Sequence, residues 1–288
     1  MMPENDWYGH KLVLAWYCGL ASPKPIFGAI PHGWGPDLPP SRSMTPRAPM
    51  FLWNERHATQ ARDMKLLSAS CIGAPFTYLV RLLWPDGVYP GGRGTIVFPS
   101  HSAELYRHHM HVRSFIAGVE EISEPPYTVS IFYQDMADGG VALYRQAGWR
   151  VVTFGQRSSP LFLLRTAIEI SGHSSVVGDA MQSALLYAGL LERRIRVLGP
   201  FPNWPTEFDG WNSNSAPSRW PGLHSDGLAE LPARELAAVE LGWDSNLLPT
   251  DLAGALGWAS WGKRLAATSI GRVVDIRYGR GARLGVFN

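Results

Sequence analysis

The sequence is poor in cysteine, in charged residues and in long apolar runs. Its two cysteines among 288 residues, Cys18 and Cys71, cannot form a disulfide framework, which indicates a reducing compartment. The longest apolar run near the start, residues 12–21, is shorter than the roughly 20 residues that a membrane-spanning helix needs. It also lacks the basic flank and the cleavage site of a secretion signal. We therefore expect a cytoplasmic protein, either free or peripheral at the inner face of the membrane.

The charge balance excludes a general nucleic-acid-binding protein. The chain carries 26 Lys and Arg residues against 24 Asp and Glu residues, and no stretch is dense enough in basic residues to follow a phosphate backbone. Most of the basic residues are arginine, whose planar group suits bidentate binding of phosphate or carboxylate. An apolar fraction of 45% and a charged fraction of 17% exclude a disordered chain. The composition thus predicts a folded protein with local anion sites.

Five short strand-like runs in the middle of the chain predict an open parallel sheet. Helical stretches of about ten to fifteen residues separate them, as in repeated βαβ units. The runs cover residues 94–99, 127–133, 149–154, 174–178 and 194–198. In such sheets a ligand binds beyond the carboxyl ends of the strands, so the polar residues that follow these runs should converge on one crevice.

The first 92 residues contain fewer strand-like runs. Residues 26–30 and 50–53 are typical of strands, with helices expected near 11–20 and 58–67. The chain length favours two domains at about 150 residues per domain. The predicted segments are 1–92, 93–200 and 201–288, the last an aromatic, Pro-rich loop followed by helices.

His32 and Gly33 directly follow the strand predicted over residues 26–30. A histidine at the carboxyl edge of a sheet can act as a general base, and a glycine there lets the backbone approach a ligand closely. We predict that His32 is catalytic and that Gly33 contacts substrate. The alternative is a histidine that only hydrogen-bonds to the carbonyl groups of its loop.

Glu55 and Arg56 follow the next predicted strand. Glu55 is a candidate catalytic base or acceptor for a sugar hydroxyl, and Arg56 is a candidate clamp for an anionic substrate group. The alternative is an ordinary helix N-terminus with an acid in its first turn.

Polar residues also follow the strands of the predicted five-stranded sheet. Hydroxyl groups, arginine and the N–H groups of helix N-termini can bind phosphate, with helix capping as the alternative. The run from Ser158 to Pro160 predicts an N-cap and a first-turn proline for a helix that continues to about Gly172, and a further helix is predicted over 180–191. Asp179 would repel phosphate unless it accepts a hydrogen bond from a ribose or caps a helix. The substrate-binding candidates at this edge are Ser100, His101, Ser102, Asp135, Gly155, Arg157, Ser158, Asp179, Gln182 and Ser183.

Several catalytic motifs do not occur in the right context, which disfavours four enzyme classes. No Gly-x-Gly-x-x-Gly, Walker A, Gly-x-Ser-x-Gly or Asp-x-Asp motif supports a dehydrogenase, a P-loop NTPase, a serine hydrolase or a metal-dependent GT-A transferase. His108, His109 and His111 lie close in sequence, but adjacent helical residues point about 100° apart and no acid or cysteine accompanies them at ligand spacing. We predict no metal site and no cofactor.

Four segments follow one another in a recognisable order, namely residues 151–155, 160–163, 174–187 and 196–199. Together they give a strand, a polar turn, a helix and a further strand, an arrangement that resembles GT-B glycosyltransferases of bacterial capsule and O-antigen assembly. The resemblance covers residues 26–200. It implies an α/β fold of two Rossmann-like domains, with a short N-terminal domain facing the acceptor, a nucleotide-sugar-binding domain over 93–200 and a C-terminal helical extension.

The resemblance implies a metal-independent glycosyltransferase that moves a sugar from a nucleotide-activated donor to a surface polysaccharide or lipid-linked acceptor. His32 would face the acceptor, and Arg157, Gln182 and Ser183 would contact the donor phosphates and nucleotide. The short N-terminal half and Asp179 depart from the pattern of the family. Two other functions stay open: a non-catalytic nucleotide- or sugar-binding module of a polysaccharide assembly complex, and a nucleotide-sugar epimerase.

Overall fold

The chain forms two parallel β-sheets and the helices that cover them. The structure, a computed structural model, describes residues 3–38, 49–65, 68–100, 111–137, 139–199 and 216–259. Its strands are β1 (Met50–Leu52), β2 (Ala69–Cys71), β3 (Thr95–Phe98), β4 (Tyr127–Ser130), β5 (Arg150–Val152), β6 (Ser175–Gly178) and β7 (Arg194–Val197). Its helices are α1 (His10–Tyr17), α2 (Glu55–Asp63), α3 (Pro75–Leu83), α4 (Val112–Ile122), α5 (Gly139–Gln146), α6 (Phe162–Ser171), α7 (Ser183–Leu190), α8 (Ala216–Arg219), α9 (Pro221–His224), α10 (Glu230–Leu241) and α11 (Pro249–Ala255). Over these ranges, none of the helices combines the length and the apolar character needed to cross a membrane.

The larger sheet contains five parallel strands in the order β5-β4-β3-β6-β7. At its centre, Val97 of β3 lies beside Val129 of β4 on one side and Val177 of β6 on the other. Strands β4 and β5 therefore lie on one side of β3, and β6 and β7, which come later in the chain, lie on the other side. This order is compatible with a Rossmann-like fold. The prediction of an α/β fold with five parallel strands is confirmed.

The reversal of strand order between β3 and β6 creates a switch point in this sheet. The loops that leave the two strands diverge there, and open α/β sheets bind their ligands in the crevice between such loops. Ser100 follows β3, and Asp179 follows β6. The fold thus supplies a switch point among the strand ends that the sequence singled out, and the crevice expected there stays a prediction.

The smaller sheet pairs β1 and β2 in parallel, and the predicted strand over 26–30 is reduced to one parallel bridge between Ala29 and Met50. Asn5 binds the backbone groups on the other edge of this segment, which faces away from β1. Its side-chain amide donates to the carbonyl of Gly28 at 2.8 Å, and its side-chain oxygen accepts from the N–H of Ile30 at 2.9 Å. Strand β2 was not predicted because its Ala-Ser-Cys sequence lacks large aliphatic side chains.

Two helices begin later than the sequence predicted. Helix α6 begins at Phe162 and not at Pro160, because Ser159 belongs to a turn in which its carbonyl accepts from the N–H of Phe162 at 3.1 Å. Helix α7 begins at Ser183, since Gln182 before it has an extended backbone with φ −153° and ψ 168°. In both cases the residues that were predicted to form the first turn of the helix lie instead in the loop at the carboxyl edge of the sheet.

One hydrophobic core joins both sheets and the C-terminal helices. It includes Val13 of α1, Phe51 of β1, Ile96 of β3, Leu185 of α7 and Leu241 of α10, each almost fully buried. Burial of each such large side chain contributes about 1.5–3 kcal/mol. Helix α10, which was predicted as part of an extension, packs directly against α7. The predicted segment boundaries at residues 92 and 200 stay predictions.

Gly242 ends α10 in a conformation that other residues rarely adopt. Its φ is +65°, and a Cβ atom there would collide with the carbonyl oxygen of Trp53. We expect Gly242→Ala to lower the free energy of unfolding by about 2 kcal/mol or more, because a left-handed backbone alone costs roughly 1–2 kcal/mol in an L-residue. Chemical denaturation measures this change. The matched control is Gly254→Ala in α11, where a Cβ meets open space and alanine should gain up to about 1 kcal/mol. Equal losses in the two variants would contradict the explanation.

Candidate functional site

Asp179 ties together the two loops of the switch point. It is buried, with 1% of its surface exposed. Its Oδ1 atom accepts hydrogen bonds from the backbone N–H of Ser100 at 2.7 Å and from the Ser100 hydroxyl at 2.8 Å. The sequence analysis assigned this carboxylate to a ribose or to a helix cap, and its contact with a serine of the neighbouring loop is neither of these. The two predicted site residues do lie together.

Gln182 and Ser183 lie at the start of α7 and contact protein groups. The Gln182 side-chain amide donates to the carbonyl of Phe98, the last residue of β3, at 2.7 Å. The Ser183 hydroxyl accepts from the backbone N–H of Trp34 at 2.9 Å and also hydrogen-bonds to Tyr187. The first N–H groups of a helix have no acceptor within the helix, so the N-terminus of α7 is a potential anion site. Gln182 and Ser183 fix where that N-terminus lies.

His32 lies among aromatic rings that belong to the N-terminal segment. Its ring centre is 5.1 Å from that of Trp7, in an edge-to-face arrangement, and 6.3 Å from that of Tyr8, nearly parallel. The Arg157 guanidinium carbon lies 4.1 Å from the centre of the Trp7 ring. Next to His32, Gly33 approaches α7 so closely that a Cβ there would lie 3.6 Å from the Ser183 hydroxyl. The structure thus groups His32, Gly33, Arg157 and the start of α7.

Trp7 and Tyr8 are site neighbours that the sequence analysis missed. They precede the first predicted helix and belong to no strand-to-helix turn, so no positional rule pointed to them. Burial raises the pKa of the Tyr8 phenol, against a smaller opposing effect of the nearby Arg157 charge. At neutral pH this hydroxyl is therefore protonated and able to donate a hydrogen bond.

A buried carboxylate anchors the loop that carries His32. Glu240 of α10 is 6% exposed, and its Oε2 atom accepts from the indole N–H of Trp34 at 2.8 Å and from the guanidinium of Arg56. The Asn54 side chain donates to the backbone carbonyl of Glu240 at 2.8 Å. Trp34 therefore connects the Ser183 hydroxyl on one side to Glu240 on the other.

Arg56 is engaged by groups of the protein itself. Besides Glu240, its guanidinium bonds to the carbonyl of Pro36 and lies 3.5 Å from the Asp37 carboxylate. Arg219 pairs with the same carboxylate at 3.3 Å. These contacts hold the loop after His32 against the smaller sheet. The predicted anion clamp therefore already carries carboxylate partners, and its role toward a substrate stays a prediction.

Glu55 lies in the first turn of α2, as the alternative interpretation of this motif described. Asn54 caps the helix, since its side-chain oxygen accepts from the N–H of His57 at 2.8 Å. The Glu55 side chain is mostly exposed and lies 3.7 Å from the Arg62 guanidinium, and it also contacts Cys71. These contacts lie at the two-stranded sheet, and a catalytic role for Glu55 stays a prediction.

The remaining candidates follow the strand ends at the same edge of the larger sheet. Asp135 lies half-buried in a short 3-10 turn, Tyr133–Ala137, which follows β4. Gly155 follows β5 with a φ of +88°, and Ser158 is exposed in the turn before α6. Their positions agree with the predicted edge. Two further candidates, His101 and Ser102, lie outside the described residues.

Metal ligation finds no support in the part of the chain that the structure describes. Over those ranges, no group of three or more His, Cys, Asp and Glu side chains is arranged to hold an ion. His108 and His109 of the histidine-rich run fall outside them.

Two buried histidines make the folded protein sensitive to acid. Burial, together with the adjacent Arg56 charge, lowers the pKa of His57 to about 4, and burial lowers the pKa of His10 to about 3. In the unfolded chain each takes up a proton near its ordinary pKa of about 6.5. The unfolded state therefore binds more protons between pH 6.5 and about 4, so the free energy of unfolding falls as the pH falls through this window. Each histidine contributes about 1.4 kcal/mol per pH unit.

We expect the variant His57→Gln to lose less stability in acid than the wild type. Between pH 6.5 and 5 the difference should reach about 2 kcal/mol, because one proton-linked group is removed. Urea denaturation at the two pH values measures it. His111→Gln, which changes an exposed histidine at the start of α4, is the control and should keep the wild-type dependence. An unchanged pH dependence in His57→Gln would refute the assignment.

A scan against protein-family models and a search of the curated proteins both find no match to this chain. The fold is that of an α/β protein with a switch point in a five-stranded parallel sheet. His32, Arg157 and the N-terminus of α7 are grouped in this structure, and the function proposed below depends on them.

Proposed function

We propose that the protein is a metal-independent glycosyltransferase that moves a sugar from a nucleotide-activated donor to a surface polysaccharide or lipid-linked acceptor. One observation carries the proposal: the loop after His32 meets the N-terminus of α7, where the Trp34 N–H donates to the Ser183 hydroxyl at 2.9 Å. A general base and an anion-binding helix end are thereby brought to the same crevice. Transfer from a sugar phosphate needs both groups.

The arrangement of the two sheets supports a GT-B-like architecture. Each sheet is parallel, and each presents candidate residues after the carboxyl ends of its strands: Arg56 follows β1, and Asp179 follows β6. In this proposal the smaller sheet belongs to a short acceptor-side half, and the larger sheet binds the nucleotide-sugar. The acceptor would reach the donor beside the His32 loop, which contacts both halves through Trp34.

The proposed reaction is a single displacement with inversion at the anomeric carbon. A nitrogen of His32 takes the proton of the acceptor hydroxyl, whose oxygen forms a bond to the anomeric carbon. The bond from that carbon to the donor phosphate oxygen breaks, and its electron pair leaves with the nucleotide. The N–H groups of α7 and the Arg157 guanidinium stabilise the charge that develops on the leaving phosphate.

A non-catalytic nucleotide- or sugar-binding module is the second candidate, and a specific observation favours it. The side chains of Asp179, Gln182 and Ser183 all hydrogen-bond to protein groups. These hydrogen bonds hold the side chains in place, which suits a binding site. Slow release of nucleotide from the donor without acceptor would distinguish a transferase from such a module.

A thermal-shift screen against CMP, CDP, UDP, GDP and dTDP tests the nucleotide site that a transferase and a nucleotide-binding module both require. A ligand at 100 times its dissociation constant stabilises the folded state by about 2.7 kcal/mol, which raises the melting temperature by several degrees. We expect one nucleotide to do so and its unphosphorylated nucleoside to have no effect. A flat response to all five nucleotides would contradict the transferase and the nucleotide-binding module, and leave a sugar-binding module.

A further inference from the structure

The His32 loop, residues 32–38, is held by side chains from other parts of the chain. Bonds from successive loop residues reach side chains of α2, α7 and α10. They join Trp34 to Ser183 and Glu240, Gly35 to His57, and Leu38 to Gln60. A loop with so many distant partners has one preferred position, and that position places His32.

A later segment, the strap (residues 216–228), reaches this loop from the edge of the larger sheet. Leu228 pairs with Ile195 of β7 in an antiparallel bridge, with N–O distances of 2.7 and 3.0 Å. Leu223 of α9 is fully buried in the hydrophobic core. This end of the strap is thus fixed to the larger sheet.

The other end of the strap contacts the His32 loop through two adjacent residues. Arg219 of α8 donates to the Pro36 carbonyl at 2.7 Å, and its guanidinium lies 3.3 Å from the Asp37 carboxylate. The ring centre of Trp220 lies 5.4 Å from that of Trp34. One charged and one aromatic residue therefore join the loop to the edge of the larger sheet.

The ionic contact of the strap is exposed, unlike the contacts of Trp34. The side chains of Arg219 and Asp37 are 36% and 37% exposed, whereas Trp34 and Glu240 are buried. The N–O distances of the pair, 3.3–3.5 Å, exceed the about 2.7–2.9 Å of a strong charge-assisted hydrogen bond. Salt screens such exposed pairs, which contribute little to global stability. Loss of this contact should therefore loosen the loop and leave the core folded.

Two arginines from different elements hold the same corner of the loop. Arg56 of α2 also donates to the Pro36 carbonyl and lies 3.5 Å from the Asp37 carboxylate. It is in addition paired with the buried Glu240, which the guanidinium of Arg219 is not. Without Arg219 the corner thus keeps one of its two cations, and the loss of position should be partial.

We propose that Arg219 and Trp220 are positioning residues for His32, and that the strap determines how firmly the His32 loop is held. The inference rests on the proposed function, because it gives the position of the loop a role in placing the base beside the acceptor hydroxyl. An error of about 1 Å in the position of a reacting group can cost about 100-fold in rate. Since one contact of the strap is an exposed ion pair, turnover should also depend on ionic strength.

Amide hydrogen exchange at Trp34 and Leu38, followed by NMR, tests the hold on the loop without an assay of activity. Their N–H groups are bonded to Ser183 and Gln60, so they exchange when the loop opens. Arg219→Ala should raise both exchange rates about three- to tenfold, because an ion pair and a hydrogen bond are lost. Raising salt from about 0.05 M to about 1 M should raise the wild-type rates about two- to fivefold and affect Arg219→Ala less.

Arg234→Ala is the matched control. Arg234 of α10 pairs with Glu192 at 2.7 Å, and their side chains are 39% and 42% exposed. This ion pair is as exposed as that of Arg219, but it lies beyond the end of α7 and not at its start. Arg234→Ala should therefore leave the exchange of both loop amides at the wild-type rate.

Steady-state kinetics of the same variants test the positioning role. Arg219→Ala should lower kcat about three- to tenfold and change KM for the donor by no more than about twofold, because His32 acts on the acceptor. Trp220→Leu should act in the same direction. Arg219→Lys keeps the charge without the planar fork and should restore kcat in part. A purely structural role would not separate kcat from KM in this way.

The outcomes separate the hold on the loop, the positioning role and the proposed function. Wild-type exchange rates in Arg219→Ala, or equal increases in Arg234→Ala, would overturn the hold of the strap on the loop. Faster exchange with unchanged kcat would overturn the positioning role. Faster exchange in Arg219→Ala, with no turnover of any donor by the wild type, would count against the proposed function and leave the hold on the loop standing.

Discussion

Replacing His32 by alanine should lower the turnover of donor and acceptor by about 10²- to 10⁴-fold, the range over which a positioned general base accelerates proton transfer. Donor affinity should change by no more than about twofold, because His32 acts on the acceptor hydroxyl and not on the donor phosphate. In the proposed mechanism the start of α7 and Arg157, and not His32, contact the phosphate. Steady-state kinetics together with calorimetric titration of the donor would measure both quantities.

A histidine at the opposite edge of the sheet controls for loss of stability. His173 precedes β6, and its ring hydrogen-bonds to the Glu169 carbonyl at 2.8 Å and to the Thr128 hydroxyl at 3.0 Å. His173→Gln should lower the melting temperature and keep turnover near the wild-type rate. Unchanged turnover in His32→Ala would disprove the catalytic role. Equal losses of turnover in the two variants would show that only folding is affected.

Replacing Glu240 by alanine should lower the free energy of unfolding by about 3 kcal/mol. The change leaves the buried indole N–H of Trp34 without its acceptor and the half-buried Arg56 guanidinium without its closest carboxylate. We also expect a loss of turnover, since Trp34 connects the His32 loop to Ser183. Chemical denaturation and the kinetic assay measure the two effects separately.

Two substitutions on the same helix make this experiment specific. Glu240→Gln keeps an oxygen that accepts from Trp34, so its loss of stability should be smaller than that of Glu240→Ala. Glu235 is exposed on α10, and Glu235→Ala should change the free energy of unfolding by about 0.5 kcal/mol or less. A Glu240→Ala variant as stable as Glu235→Ala would disprove the anchoring role of the buried carboxylate.

The larger sheet could be predicted because each of its strands has a local signature. Residues 95–98 and 175–178 are β-branched or apolar runs closed by polar turns, and that signal does not depend on the rest of the chain. The smaller sheet could not be predicted in the same way. Its second strand has no strand-forming side chains, and the strand expected at 26–30 pairs with β1 only at Ala29 while Asn5 binds its other edge, which a local pattern does not reveal.

The sequence pointed to candidate site residues only where those residues directly follow a strand. The rule that ligands bind beyond the carboxyl ends of strands directed attention to Asp179 and Arg157. The structure places Asp179 at the switch point and Arg157 on the Trp7 ring, which also contacts His32, and the binding roles of both residues stay predictions. The rule gave no information on Tyr8, whose position depends on a left-handed turn held by a distant loop. Nor did it identify Glu240, which resembles an ordinary helix-surface acid until the fold buries it against Trp34. Both depend on contacts between residues far apart in sequence.

The release of nucleotide from nucleotide-sugars is the measurement that tests the central claim most directly. The purified protein is incubated with CMP-, CDP-, UDP-, GDP- and dTDP-linked sugars without acceptor, and free nucleotide is separated by chromatography. A glycosyltransferase should release nucleotide slowly from one donor, faster when a glycan acceptor is added, and His32→Ala should abolish the acceleration. Binding of a nucleotide-sugar with no release under either condition would contradict the claim and leave a binding module.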